Sequence, residues 1–258
     1  MNNAENNHTN EISDRLNQMS HLICNHKSEI MKVNEIITEA VDVLYNFAVN
    51  DEDYYKYSTI DEHSNLYFKK VNNTEVGKIE LIFPDTSKLE KIIGIIWDEN
   101  GARNFDPHFI EGKIIRIYDQ NLILVQQSYK GTLGKEGRYF YILAHKKKIN
   151  KNTYLIACLS LNINDNNKKC NIPFTNPFIN SANSFTLDIE CDEKIKNSSL
   201  RKMHINLSGY FIKREESYIK LTYISSIDLG TSSLIPQFII RKIKANKMLL
   251  LNLLRKNI

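Results

Sequence analysis

Histidine, cysteine and paired carboxylates carry most enzyme chemistry, and in this sequence they form no recognised catalytic motif. The seven histidines are scattered, and there is neither a His-Glu-x-x-His helix nor a Gly-x-Ser-x-Gly elbow. The four cysteines lack the Cys-x-x-Cys spacing of a zinc site, so we expect free structural thiols. The residues therefore predict no catalytic group, no metal site and no cofactor.

A glycine-rich segment is the candidate for a phosphate-binding loop. Gly131, Gly134 and Gly137 recur at three-residue spacing, but the segment lies between two predicted strands and opens no helix. It also lacks the Gly-Lys-Ser/Thr ending through which a P-loop holds phosphate. We interpret it as a hairpin loop.

Four polar or amphipathic residues interrupt otherwise apolar predicted strands: Arg116, Gln126, Asn206 and Tyr223. Each could point to solvent on the outer face of a sheet. Alternatively, each could point inward into a cavity, at a cost of about 1–3 kcal/mol unless it has a partner there. A bound ligand with a polar head group would be such a partner.

A basic run, Lys146, Lys147 and Lys148, precedes Lys151 at a predicted β-turn. One interpretation is a solvated hairpin tip. The other is contact with an anionic membrane or a nucleic acid, because each lysine near a charged bilayer can add about 1 kcal/mol of binding free energy.

The composition limits the class of protein. The 258 residues are 42% hydrophobic and 25% charged, which excludes a fully disordered chain. No run approaches the roughly 18–20 apolar residues of a membrane-spanning helix. The net charge of +4 is below that of typical nucleic-acid-binding domains. We predict a flexible polar tail at 1–27 and one folded domain at 28–258, in a soluble monomer that binds no nucleic acid.

Hydrophobic periodicity predicts three helices. The first begins near Ser28, a short second helix ends at Trp97, and a long closing helix begins at Pro236. We expect the basic residues of the closing helix to face away from the core. Four of its apolar residues are expected to face the sheet: Ile239, Ile243, Leu250 and Leu254.

The predicted strands are joined by short turns, which favours antiparallel hairpins over βαβ units. The middle of the chain has such strands at 113–118, 121–129, 138–147 and 152–161. After a predicted long loop at 162–185, two more follow at 203–212 and 218–227. The element order therefore predicts an α+β fold.

Segments of the last third follow one another in an order that resembles the C-terminal half of a START lipid-transfer domain. They are the Ser-Gly strand at 207–212, the Thr-aromatic strand at 218–224, the Asp-Leu-Gly turn at 228–230 and the Leu-Ile-Pro start of the helix at 234–240. Trp97-Asp98 is similar to the Trp-Asp that ends the family's central helix. Within the family, 118–122 and 126–129 resemble the START-containing fam-a proteins of malaria parasites.

The resemblance implies a helix-grip fold, in which a curved antiparallel sheet wraps around the C-terminal helix and encloses a hydrophobic tunnel. It implies a carrier that moves a phospholipid, such as phosphatidylcholine, between membranes without bond chemistry. The closing helix and the loop at 130–137 would form the gate, and Lys146, Lys147 and Lys148 would dock on the bilayer. Arg116 would meet the lipid phosphate. The expected lining is Trp97, Arg116, Gln126, Tyr141, Asn206, Tyr223, Phe238, Ile239 and Ile243.

Two other functions remain open at this point. A START-like hydrolase or cyclase would need a polar catalytic pair in the tunnel, and the residues supply no evident pair. An interaction protein would have its tunnel filled by side chains such as Phe105, Tyr141 and Phe238, and would bind a protein partner or a membrane surface. The sequence as given shows no secretion segment, and on this basis we expect a cytoplasmic protein. The resemblance implies export to the host cell or parasitophorous vacuole if such a segment has been trimmed.

Overall fold

The computed structural model describes residues 19–131, 136–167, 174–228 and 236–258. The helices are α1 (Lys27–Val49), α2 (Leu89–Trp97), α3 (Glu193–Lys196), α4 (Gln237–Leu249) and α5 (Leu251–Asn257), with short 3-10 turns at Ser20–Leu22, Thr86–Lys88, Gly101–Asn104 and Asn180–Ser184. The strands are β1 (Tyr55–Asp61), β2 (Ser64–Val71), β3 (Thr74–Phe83), β4 (Phe109–Asp119), β5 (Leu122–Tyr129), β6 (Arg138–Asn150), β7 (Thr153–Leu159), β8 (Asn162–Asn164), β9 (Thr186–Asp188), β10 (Arg201–Lys202), β11 (His204–Arg214) and β12 (Ile219–Asp228).

Ten of these strands form one sheet in the order β1-β2-β3-β12-β11-β7-β6-β5-β4, with the short β10 pairing in parallel with β6. All other neighbours in this sheet are antiparallel. The remaining two described strands, β8 and β9, form a small parallel pair. The predicted α+β class with antiparallel hairpins is confirmed.

The sheet has two covered faces, which we call inner and outer. Helices α4 and α5 pack on the inner face, while α1 packs on the outer face. Strand β12 illustrates the alternation, because Leu221 and Tyr223 belong to the inner cluster and Ile224 to the outer one. A third apolar cluster extends the inner face along β4, β5 and β6.

The closing helix differs from its prediction in two ways. It is interrupted at Leu250, so that α4 and α5 follow each other as separate helices. Its buried face is formed by Ile240, Ala245 and Met248 and continues in α5. The prediction that Ile239 and Ile243 face the sheet is wrong, because their side chains are 40% and 41% exposed.

The rotation of this helix has a steric cause on the sheet. Gly77 on β3 has no side chain, and the Met248 sulfur occupies the space that a Cβ would fill. Met248 of the helix therefore packs directly on β3, and the buried face lies about one residue round from the predicted face. Helical periodicity alone favours the predicted face, because Ile239 and Ile243 are four residues apart, whereas the buried Ile240, Ala245 and Met248 are five and three residues apart.

The segment before α1 pairs with the edge strand β4 of the sheet. The Cys24 amide donates a 2.8 Å hydrogen bond to the Ile117 carbonyl, and Ile23 forms a parallel bridge with the same residue. Of the predicted tail, residues 1–18 lie outside the described part of the chain. The boundary at residue 28 stays a prediction, although Cys24 is buried.

The stretch between β7 and β11 is more structured than the loop predicted for it. It contains β8, β9, α3 and a 3-10 turn, and several of its apolar residues join the outer core. Glu39 of α1 accepts hydrogen bonds from the backbone amides of Asn180 and Ser181, which attach this stretch to the helix. Across the described ranges of the chain, no helix is both long and apolar enough to span a membrane.

Candidate functional site

Three tyrosines lie on the inner face, and we call them the inner tyrosine cluster: Tyr129 at the end of β5, Tyr210 on β11 and Tyr223 on β12. Tyr210 and Tyr223 are register partners whose rings stack with centroids 4.7 Å apart. The Tyr129 hydroxyl donates to Gln127 Oε1 at 3.0 Å. The cluster therefore presents large aromatic surfaces toward the closing helix.

These residues keep accessible surface on the inner face. Tyr129, Tyr210, Tyr223 and Cys158 are only half-buried there. Burial nevertheless raises the pKa of Tyr223 to about 12 and that of the Cys158 thiol to about 12. Groups that are poorly solvated and yet keep accessible surface are suited to contact an apolar ligand. The region between the inner tyrosine cluster and the closing helix is therefore the candidate ligand site.

Ion pairs connect the closing helix to residues around this candidate site. Lys247 pairs with Asp106, and its ammonium lies 4.6 Å from the centre of the Tyr129 ring. Asp106 is a buried carboxylate, with a side chain only 4% exposed. Further along the helix, Arg241 pairs with Glu75 and Arg255 with Asp61.

Two of the predicted lining residues lie on the inner face. Tyr223 belongs to the inner tyrosine cluster. Trp97, at the end of α2, packs against the apolar cluster of β4, β5 and β6, and the Lys146 ammonium lies 4.9 Å above its ring. Their role in lining a lipid tunnel stays a prediction.

Arg116 lies on the opposite face of the sheet. Its guanidinium donates a 2.7 Å hydrogen bond to Glu29 of α1, and the Tyr118 hydroxyl donates to the same carboxylate oxygen. A β-bulge between Ile114 and Arg116 shifts the alternation of side chains along β4. The expected inward orientation of Arg116 is corrected accordingly.

Gln126, Tyr141 and Asn206 also point away from the candidate ligand site. Gln126 and Tyr141 are register partners, and Tyr141 belongs to the outer core cluster. Asn206 is buried and donates to the Ser226 hydroxyl at 3.2 Å, which in turn donates to the Glu75 carbonyl. Their polar groups therefore face protein on the outer side rather than a ligand on the inner side.

The remaining predicted residues lie at the surface or near it. Phe238 is 69% exposed on the first turn of α4, beside the exposed Ile239 and Ile243. The lysines 146–148 lie within β6 rather than at a turn. Lys147 and Lys148 are exposed, whereas Lys146 is half-buried against Trp97, and this desolvation lowers its pKa.

The structure also brings together residues that the sequence did not single out as site residues: Tyr129, Cys158, Tyr210, Asp106 and Lys247. Tyr210 could have been found from its position in the Ser-Gly strand opposite Tyr223. Nothing local marks Asp106 or Lys247, because they are 141 residues apart in the chain and meet only through the fold.

A separate depression of about 470 Å³ lies at the end of α2, where Gly94, Asp98 and Arg103 contribute to its wall. It is shallow and open to solvent. Its wall is a mixture of backbone and polar side chains, without the aromatic surface of the inner face.

A large curved antiparallel sheet that grips a C-terminal helix defines the helix-grip fold of START (StAR-related lipid transfer) domains. The chain has this fold, as its sequence predicts. No protein-family model and no curated protein sequence matches it.

The solved structures of two human proteins share this architecture. Human STARD10 superposes with a TM-score of 0.60 at 13% identity, over 84% of this chain and 77% of that chain. Human StAR-related lipid transfer protein 5 superposes with a TM-score of 0.61 at 13% identity, over 88% of this chain and 96% of that chain. At such identity the likeness establishes the fold, and function has to be argued from the site.

Proposed function

We propose that this protein binds a lipid in a cavity beneath the closing helix and carries it between membranes. The observation that carries this proposal is the set of half-buried aromatic residues on the inner face. A cavity lined by such groups favours the acyl chains of a lipid over water. The proposed activity is extraction, transport and release, without bond chemistry.

The proposed cargo is a phospholipid, and phosphatidylcholine is the particular phospholipid that we propose. Tyrosine rings attract quaternary ammonium groups through cation–π interactions. The buried Asp106 carboxylate adds a negative charge, which would attract the positively charged choline group. Of the predicted lining, Trp97 and Tyr223 are retained in this proposal, together with Tyr129, Tyr210 and Cys158.

The closing helix is the proposed gate, together with the glycine-rich loop, of which residues 132–135 lie outside the described chain. The exposed residues Phe238, Ile239 and Ile243 would enter the bilayer interface as the helix opens. Lys147 and Lys148 would add attraction to anionic membranes. Membership of the malarial fam-a group, with its host-cell or vacuolar compartment, is proposed on the sequence resemblance described above.

Native mass spectrometry of the purified protein tests the proposal, followed by lipid extraction and a fluorescent-phospholipid transfer assay between vesicles. A bound phospholipid together with accelerated transfer is the expected result. A protein that carries no lipid and transfers neither phospholipid nor sterol would contradict the proposal and favour an interaction protein with the same fold.

A further inference from the structure

Two lysines are buried on the outer face of the sheet near the end of α1: Lys69 on β2 and Lys78 on β3. Lys69 is 8% exposed and Lys78 is 1% exposed. Their ammonium groups both lie over the ring of Tyr54, at 4.4 Å and 4.9 Å from its centre. The ring of Phe47 on α1 lies 4.7 Å from the Lys69 ammonium. Lys69 is therefore enclosed by two aromatic rings and has a second cation nearby.

The two lysines differ in their partners. Lys78 donates a 2.6 Å hydrogen bond to the Asp51 carboxylate. Among the residues that the structure describes, the Lys69 ammonium has no hydrogen-bond acceptor and no carboxylate at ion-pair distance. The aromatic rings attract its charge, but they do not replace the hydrogen bonds to water that burial removes. Of the pair, Lys69 is thus the lysine whose charge is less well compensated.

This environment favours the neutral amine of Lys69. Burial lowers its pKa, and the positive charge of Lys78 adds to this effect. Asp51, Glu52 and Asp53 in the turn after α1 oppose the shift, but these residues are exposed and water screens their charges. A desolvated lysine beside a second cation is the arrangement that makes an amine nucleophilic.

The narrow access to Lys69 limits the size of the electrophile that can reach this amine. Carbon dioxide is small, uncharged and apolar, so it suits an approach between two aromatic rings. A larger aldehyde or acyl donor would have to displace the ring of Phe47 or of Tyr54. The product with carbon dioxide is an anion, and the Lys78 ammonium supplies a positive charge beside it.

We propose that Lys69 is a carbon dioxide-binding residue, whose side chain forms a carbamate that pairs with Lys78. The lone pair of the neutral amine attacks the carbon of CO2, so that a C–N bond forms and one C=O π pair moves to oxygen. The nitrogen then releases one proton to water. The reaction replaces the positive charge of Lys69 by a negative one, and the carbamate competes with the exposed Asp51 for Lys78. This site is separate from lipid carriage.

Chemical trapping tests the proposal on the wild-type protein. The protein is equilibrated with ¹³C-bicarbonate at neutral pH and treated with triethyloxonium, which converts a carbamate into a stable ethyl carbamate. Peptide mapping by mass spectrometry should then find the label on Lys69. Lys70 is the internal control, because it follows on the same strand and is exposed, and it should carry much less label. Equal labelling of both lysines, or an unlabelled Lys69 when added glycylglycine is trapped, would overturn the proposal.

Variants test the contribution of Lys78. Lys78→Met keeps most of the buried side chain and removes its charge. The carbamate at Lys69 should fall by about tenfold, because the neighbouring charge both lowers the pKa of Lys69 and pairs with the product. Lys70→Arg should leave the carbamate unchanged, and circular dichroism would verify that both variants are folded. A folded Lys78→Met protein with as much carbamate as wild type would contradict the pairing with Lys78.

NMR spectroscopy detects the same product without trapping. Under ¹³C-bicarbonate, the wild-type protein should give a carbamate carbon signal that is absent from Lys69→Arg and present in Lys70→Arg. A signal that persists in Lys69→Arg would assign the carbamate to another amine and overturn the proposal.

Discussion

Individual residues in this protein take their roles from the face of the sheet on which they lie. Arg116 and Tyr223 are both amphipathic interruptions of apolar strands, yet Arg116 pairs with the outer helix and Tyr223 packs on the inner face. A guanidinium with a carboxylate partner at 2.7 Å contributes to stability rather than to ligand recognition. The two roles are separable by measuring stability and lipid transfer on the same variants.

We predict that Arg116→Met destabilises the protein and leaves lipid transfer intact. The substitution removes a charged hydrogen bond to Glu29, which costs about 1–3 kcal/mol of unfolding free energy when the pair is largely shielded from water. Urea unfolding and vesicle transfer would be compared with wild type. Glu29→Gln should likewise lower the unfolding free energy and leave transfer intact. If Arg116→Met lost transfer without losing stability, Arg116 would have a role in ligand binding.

His204 should make the stability of the protein depend on pH. Its ring stacks on Phe174 with centroids 4.3 Å apart, and burial, followed by the nearby Lys202, lowers its pKa from 6.5 to about 4. The charges of Asp165 and Asp228 oppose this shift without cancelling it. Below pH 6.5 the unfolded chain therefore binds a proton that the folded protein resists, so the unfolding free energy falls between pH 6.5 and about 4.

The measurement is the urea midpoint at pH 7 and pH 5 for wild type and for His204→Phe, which keeps an aromatic ring on Phe174. The variant should lose less stability over this interval. An identical loss in both proteins would assign the pH dependence to other groups.

At the scale of secondary-structure elements, close backbone approaches determine where the helices lie. Gly209 on β11 lets the sheet approach α1, since a Cβ there would collide with the Ile156 carbonyl and with Leu44. Gly77 does the same for the closing helix at Met248. The two helices therefore pack on opposite faces of the sheet against glycines of β11 and β3, which are the two strands on either side of β12.

Gly209→Ala should be markedly destabilising, because the added methyl group would clash with the Ile156 carbonyl and with the packed Leu44 side chain. We expect a loss of about 1–3 kcal/mol of unfolding free energy, as for other overpacked cores. Gly94→Ala is the matched control, since its added methyl meets no atom within 4 Å and lies in the helix α2. The unfolding free energy of Gly94→Ala should rise by about 0.5–1 kcal/mol. If Gly209→Ala left the unfolding free energy unchanged, the contact at Gly209 would not determine the position of α1.

At the scale of the whole molecule, the closing helix has different tasks on its two sides. Its inner side is apolar, and ion pairs attach the helix to Asp61 on β1, to Glu75 on β3 and to Asp106 in the segment before β4. Its outer side exposes Phe238, Ile239 and Ile243 at the start of the helix. Residues 237–257 contain six lysines and arginines and no acidic residue. This combination suits an element that leaves the sheet for an anionic bilayer.

The double variant Ile239→Asp/Ile243→Asp tests this division. Because both side chains are exposed, the unfolding free energy should change by no more than about 0.5 kcal/mol. Transfer between vesicles should be slowed, while binding of a lipid presented in detergent is unchanged. Unfolding of the variant would contradict the observed exposure, and wild-type transfer rates would contradict membrane entry at this position.

Local patterns in the chain were sufficient for most element types and for the antiparallel hairpins, because alternation and helical periodicity are properties of neighbouring residues. The helix-grip architecture, with Tyr223 and Trp97 on its inner side, was predicted from the resemblance to START domains. The faces of Arg116, Ile239 and Ile243 were decided only by the tertiary structure. A bulge shifts the alternation of β4, and the seat of Met248 on Gly77 selects one of two apolar faces of the closing helix. The meeting of Lys247 with Asp106 and Tyr129 likewise depends on distant strands and a helix packing together, and no short-range pattern encodes it.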